Sequence, residues 1–294
     1  MIYTLTFNPA VDYFITVDNF TSGAVNRTAC EKICFGGKGI NVSRVLKALG
    51  CDSVALGFVG GFTGDAVENF LTQSNIKSDF VKLKNGITRI NVKLNDTDIN
   101  AAGPDITAPQ LEALYQKLKV LKSGDILVLS GSVPKTMPQS IYKDIMSALY
   151  DKGVKFVVDA EGALLCETLK YKPFLIKPNH HELGAIFDTK IATYDDAFFY
   201  AKKLQDMGAQ NVMVSMGKKG AVLVGADGNR YTAVAPEGEV ISTVGSGDSA
   251  VAAFLWAHQN GETAENCLRY AVAAGSATAF SDNLATAEEI KNLF

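Results

Sequence analysis

Short apolar runs rich in β-branched residues alternate with longer stretches of helical periodicity along most of the chain. The runs at 2 to 7 (IYTLTF), 53 to 59 (SVALGFV), 125 to 130 (DILVLS), 154 to 159 (VKFVVD) and 211 to 215 (NVMVS) suit buried strands. Helical periodicity occupies 38 to 49, 64 to 74, 107 to 121, 138 to 151, 195 to 207, 248 to 259 and 263 to 280. Such alternation predicts βαβ units and hence a parallel sheet covered by helices on both faces. Two segments depart from it. Residues 13 to 18 and 88 to 99 (TRINVKLNDTDI) alternate polar and apolar side chains, the pattern of half-exposed antiparallel strands. They would form a small sheet over the mouth of the main domain, a lid able to exclude water from a reacting group. Residues 219 to 235, with two β-rich runs flanking Asp227-Gly228, read as an edge hairpin.

The composition narrows the function classes. A chain of 294 residues with 47% hydrophobic content can bury one large α/β core with a small appendage. A net charge of −3 with both signs interspersed carries no nucleic-acid footprint and no polybasic membrane surface, so a small-molecule partner is expected. Five cysteines without a CxxC pair argue against a disulfide framework or zinc ribbon. The start MIYTLTFNP has no signal-like apolar stretch, and no run of about 18 apolar residues occurs, so a soluble cytoplasmic protein is expected.

Candidate chemistry concentrates in two glycine-rich turns that open into helices. In Thr243-Val-Gly-Ser-Gly-Asp248, followed by SAVAAFLWA, Gly245 and Gly247 would let backbone amides approach an anion where the helix N-terminus adds partial positive charge. Asp248 would be placed to take a proton from a substrate hydroxyl, or it merely caps the helix. The dipole and amides are expected to lower its pKa. The second turn, Gly36-Gly-Lys-Gly-Ile-Asn41, lacks the P-loop spacing, and the glycines of GFVGGFTG at 57 to 64 are not spaced as a dinucleotide fingerprint.

Together, GGKGINVS with Gly50 and Gly60 beyond it, and STVGSGDSAVAAFL some 200 residues later, resemble the two signatures of ribokinase-like (PfkB family) carbohydrate kinases over essentially the whole chain. That resemblance implies a three-layer α/β/α fold, one domain over 1 to 294 with lid strands at about 12 to 35 and 87 to 101, and phosphoryl transfer from ATP with Mg2+. It makes Asp248 the base, with Gly245, Ser246 and Gly247 as the anion hole; Ser246 stands where alanine is usual. Lys177-Pro-Asn-His-His-Glu182 is similar to an NxxE element in which Asn179 and Glu182 organise magnesium largely through water, as that ion prefers. His180 and His181 read as surface or capping residues. Ser215, Gly217, Lys218 and Gly220 are similar to a nucleotide loop, with Lys177 reaching the phosphates; outside this context the segment is a β-turn. For the acceptor, Asp12, Gly37, Lys38 and Asn41 would bind the sugar, and Arg27, Lys38, Arg89 and Ser132 match positions that hold a sugar phosphate. Several cations on one pocket suit a dianion better than a neutral sugar. TFNPAVDY, TRINVKL and FSDNLATAEEI are most similar to the branch acting on fructose 1-phosphate, although kinases of tagatose 6-phosphate and fructose 6-phosphate share most pocket residues. The resemblance further implies a homodimer through the lid, and these residues leave potassium activation undecided.

Overall fold

The computed structural model describes all 294 residues. Strands β1 (Ile2–Thr6), β2 (Ala10–Thr16) and β3 (Cys30–Gly36) precede helix α1 (Lys38–Ala48), β4 (Ser53–Gly60) and α2 (Gly61–Gln73). There follow β5 (Lys77–Ser78), β6 (Val81–Leu83), β7 (Arg89–Leu94), β8 (Thr97–Ile99), α3 (Ala108–Leu118), β9 (Ile126–Ser130), α4 (Ile141–Leu149) and β10 (Lys155–Asp159). The last third holds α5 (Gly162–Cys166), β11 (Leu175–Ile176), α6 (His180–Ile186), α7 (Tyr194–Asp206), β12 (Asn211–Ser215), β13 (Ala221–Val224), β14 (Arg230–Ala233), α8 (Ser246–Gln259), α9 (Ala264–Ala279) and α10 (Ala287–Leu293).

The main sheet has the order β14-β13-β12-β11-β10-β9-β1-β4-β5, with β6 also on β4; it is parallel except for the hairpin β12-β13-β14. Its strands are apolar on both sides because helices cover both. Leu127 and Leu129 of β9 enter one core cluster while Ile126 and Val128 enter the other, and β10 and β12 divide their residues in the same way. Helix starts follow side-chain caps: Thr107 with Gln110 opens α3, and Thr193 with Asp196 opens α7. The expected α/β/α architecture is present, and no helix is long and apolar enough to cross a membrane.

The second sheet has the order β3-β2-β7-β8. Here one expectation fails, since β2 and β7 pair parallel, with Ala10 opposite Arg89; only β2–β3 and β7–β8 are antiparallel. Polar alternation reports which side is wet and says nothing of direction. Both strands leave the main body at the same end, so they run the same way. Ala10, Gly36 and Arg89 form the rung nearest the main sheet, and Asp12, Cys34 and Asn91 form a rung two residues further out.

Candidate active site

The carboxyl ends of β1, β9, β10 and β11 converge on the first turn of α8, the usual place for ligands in open α/β sheets. Gly245 precedes α8 at φ +83, which favours glycine, and a side chain there would also have to displace the end of the Leu284 side chain, 2.4 Å away. Ser246, Gly247 and Asp248 then supply the first helical turn; the Ser246 amide donates to the Thr243 carbonyl at 3.2 Å, and those of Gly247 and Asp248 have no intrahelical acceptor. The Ser246 hydroxyl is buried without a partner, as is that of Ser130 at the end of β9. An unpaired buried hydroxyl in the first turn of a helix fits an anionic ligand.

Asp248 is only 5% exposed and accepts a hydrogen bond from Asn41 Nδ2 at 2.8 Å. The expected lowering of its pKa is wrong in sign. Burial, reinforced by the negative charge of Asp159, pushes the carboxyl up to about 7 against the opposing pull of Lys38, Asn41 and Lys177. Removing the carboxylate from water outweighs the favourable amides and cations around it. A carboxylate titrating near neutrality is a better proton acceptor than an ordinary one.

Asp159 ends β10, is 1% exposed, and was invisible in the motifs; a lone acid closing an apolar strand was its single signal. Its Oδ1 accepts from both Lys38 Nζ and Lys177 Nζ at 3.3 Å, and its Oδ2 has no partner. Burial alone would raise this carboxyl, but the ammonium groups of Lys177 and Lys38 hold it below its usual value. Asp159 in turn holds the Lys38 ammonium well above the ordinary range. Lys177 lies beside the glycine turn, 3.0 Å from where a Gly247 side chain would begin. Two cations therefore flank the α8 N-terminus and share one counter-ion, an arrangement that can receive a polyanion.

At the root of the second sheet, Asp12 takes a hydrogen bond from Asn91 Nδ2 at 2.7 Å, and Gly36 brings the side chains of Asp12 and Asn41 close together. Gly37 ends the connection into α1, packed on Thr6. Arg89 donates to the Ala101 carbonyl at 3.2 Å and keeps its Nε buried without a partner; burial lowers its pKa while Asp12 opposes. Ser132 follows Gly131, which lies against the Lys38 side chain. Arg27 is not brought to this cluster. It is exposed in the loop after β2, near the Ala29–Thr16 bond that closes the outer end of the hairpin. Six residues of strand, about 20 Å at ~3.3 Å each, separate that end from the Ala10–Gly36 rung. Within one chain Lys38 stands beside Gly131 and Asp159, whereas Arg89 stands beside Asp12 and Ala101 at the root of the second sheet.

Asn179 and Glu182 form the capping box of α6: Asn179 Oδ1 accepts from the amides of His181 and Glu182, and Glu182 Oε2 accepts from the Asn179 amide at 2.8 Å. Burial raises the Glu182 carboxyl, with Lys177, Asp159 and Lys38 within electrostatic reach. No three His, Cys, Asp or Glu side chains are grouped closely enough to hold a metal by themselves. Donors already engaged by amides suit a hydrated hard cation held partly by ligand oxygens. Ser215 bridges to Asn179 at the end of β12, so the turn containing Gly217 and exposed Lys218 stands beside the NxxE segment. Gly220 has a different explanation, since a side chain there would lie 2.0 Å from the Ala233 carbonyl of β14. The motifs also missed Val240, Ile241 and Val244, exposed apolar residues on the approach to Gly245.

A cavity of about 290 Å³ lies between the second sheet and this approach, with Asp12, Asn41 and Arg44 on one side and Ile241, Val244 and Leu284 on the other. A sequence model of the pfkB family carbohydrate kinases matches residues 5–291. A 1-phosphofructokinase from Bacillus subtilis is 44% identical, the alignment covering 100% of this chain and 97% of that one. A D-tagatose-1-phosphate kinase from Bacillus licheniformis is 39% identical over 97% of this chain and 94% of its own. The crystal structure of phosphofructokinase-2 from Escherichia coli in complex with substrates and products superimposes with TM-score 0.93 at 29% identity, covering 99% and 97% of the two chains.

Proposed function

The chain belongs to the pfkB family of carbohydrate kinases, and from that premise we propose that it transfers the γ-phosphoryl group of ATP to the 6-hydroxyl of fructose 1-phosphate. The products are fructose 1,6-bisphosphate and ADP. The observation that carries this reading is Asp248: buried, titrating near neutrality, and seated at a helix N-terminus flanked by Lys38 and Lys177. Asp248 takes the proton of the 6-hydroxyl as its oxygen attacks in line, and the amides of Gly245, Ser246 and Gly247 bear the charge on the transferred group. Because the transition state of phosphoryl transfer is loose, positioning by Asn41 and Asp12 matters as much as basicity.

Lys38, Arg89 and Ser132 hold the 1-phosphate, with the partnerless Nε of Arg89 available to it. Lys177 and the turn at Ser215, Gly217 and Lys218 meet the ATP phosphates. Asn179 and Glu182 hold magnesium through water; when bound, the ion neutralises phosphate charge. Residues 1 to 294 act as one domain, the second sheet serving as a lid. Ile33, Ile90 and Ile99 share one face of that lid and are 58%, 37% and 56% exposed, which supports pairing of two copies through it. Ile33→Asp should convert a dimer to monomer in sedimentation; a wild-type monomer contradicts this assembly.

Identity supports a 1-phosphate acceptor, since both curated relatives above are named for one. Fructose 1-phosphate, tagatose 1-phosphate, fructose 6-phosphate and tagatose 6-phosphate offered with Mg-ATP rank the acceptors by kcat/KM. Fructose 1-phosphate should lead. A preference for either 6-phosphate overturns the assignment.

A further inference from the structure

Lys32 projects from β3 on the same face of the lid as Asp12 and Cys34, the face that roofs the cavity. Its ammonium crosses to the other wall, where it donates to the Asp282 carbonyl at 2.6 Å and to Asn283 Oδ1 at 3.0 Å. That wall is the loop between α9 and α10, and it is tied to the catalytic helix. The Thr278 hydroxyl accepts from the Ala285 amide at 3.0 Å and bonds the Ser249 hydroxyl at 2.7 Å, with Ser249 and Thr278 both buried. Ser249 is the neighbour of Asp248, and Leu284 packs against Gly245. The contact of Lys32 therefore ends on the scaffold that fixes the anion-hole turn.

We propose that Lys32 is a positioning residue for phosphoryl transfer: it latches the lid to the 281–284 loop and so closes the site over bound sugar phosphate and nucleotide. The lid is otherwise fastened only near its root, where Arg44 donates to the Phe35 carbonyl at 3.3 Å and Phe35 packs on Phe70. Contacts at the root leave the outer part of the hairpin free to swing. Lys32, four residues outward from Gly36, is where a charge-assisted bond opposes that swing. Closure excludes water, which otherwise competes with the sugar hydroxyl for the γ-phosphoryl group and releases inorganic phosphate and ADP.

This inference rests on the kinase reading above, and its test separates the two. Wild-type protein with Mg-ATP and fructose 1-phosphate tests the reading; the variants, compared with it, test the latch. Lys32→Ala should raise KM for the phosphosugar about fivefold and increase the ratio of ATP hydrolysed to phosphoryl transferred by a similar factor, as loss of one such bond implies. Trypsin should cut the 17–29 loop faster in this variant than in wild type when fructose 1-phosphate and ADP are present. Lys32→Arg, which retains the donor, should recover most of the loss. An exposed contact contributes little to global stability, so the denaturation midpoint should hold. If it falls, Asn283→Ala, which leaves the lid sequence intact, carries the same measurements. KM, hydrolysis ratio and cleavage rate all within twofold of wild type would overturn the proposal.

Discussion

Replacing Asp248 by asparagine separates the two roles a residue in the first turn of α8 can have. The amide matches the carboxylate in size, and its oxygen can still accept from Asn41, so the geometry at 2.8 Å survives. What it cannot do is take a proton. General-base catalysis contributes about a hundredfold to ten-thousandfold, so turnover should fall by that factor, about 3 to 5 kcal/mol of barrier. Stability should move the other way. The folded carboxyl titrates at about 7 where 3.8 is ordinary. A pKa raised on folding means that the native state binds the proton more tightly than the unfolded chain. The group therefore costs nothing below pH 4, its cost grows as pH rises to about 7, and it is constant above that. At 1.36 kcal/mol per pH unit the full penalty is at most about 4 kcal/mol. Asp248→Asn should thus be measurably more stable than wild type in urea at pH 8 and closely matched at pH 4. A residue that served only as a helix cap would instead lose about 1 kcal/mol on substitution. A coupled ADP assay and urea titrations at the two pH values give both readouts. Turnover within tenfold of wild type refutes the base assignment, and a less stable variant at pH 8 refutes the reasoning about burial.

Wild-type kcat/KM should decline about tenfold per pH unit below about 7 as Asp248 protonates, and Asp159→Asn should move that limb to lower pH, because Asp159 helps raise the carboxyl; an unmoved limb contradicts this. Lys38→Met should raise KM for the phosphosugar by about tenfold to a hundredfold, the range for a charge-assisted bond, with a smaller effect on KM for ATP; equal effects would place Lys38 at the nucleotide instead. Gly245→Ala meets both φ +83 and the Leu284 side chain, so it should destabilise by about 2 kcal/mol and lower turnover; adding Leu284→Ala should relieve the steric part alone, as denaturant titration can show.

Much of the main layer was legible because its signals are local. The runs at 125 to 130 and 154 to 159 have no polar face, which only a strand covered on both sides tolerates, and they became β9 and β10. β11 escaped because two residues carry no periodicity. β3, reading CEKICFG, alternates charge and cysteine too weakly to stand out before its pairing is known. The parallel β2–β7 pair depends on where the chain re-enters the sheet, a non-local fact.

The site divided along the same line. Asp248, Asn41 and Lys38 lie in compact motifs around glycine turns and Lys177 opens the NxxE segment, and the fold gathers them. Asp159 belongs to no motif, yet it sets the charge balance of both lysines from the end of a strand. The sign of the Asp248 shift could not be read from the turn, because burial arises from α1, α9 and the sheet together. Arg27, grouped with the phosphate cluster by position in the motif pattern, stands at the far end of a hairpin whose length only the pairing reveals.

The central claim is transfer of a phosphoryl group to the 6-hydroxyl of a 1-phosphorylated ketohexose. It is tested most directly by phosphorus NMR of wild-type protein incubated with Mg-ATP and fructose 1-phosphate. A new phosphomonoester coupled to the C6 protons, growing in step with ADP while the C1 ester persists, is the predicted result. ADP accompanied only by inorganic phosphate, or no new ester at C6, would contradict the account.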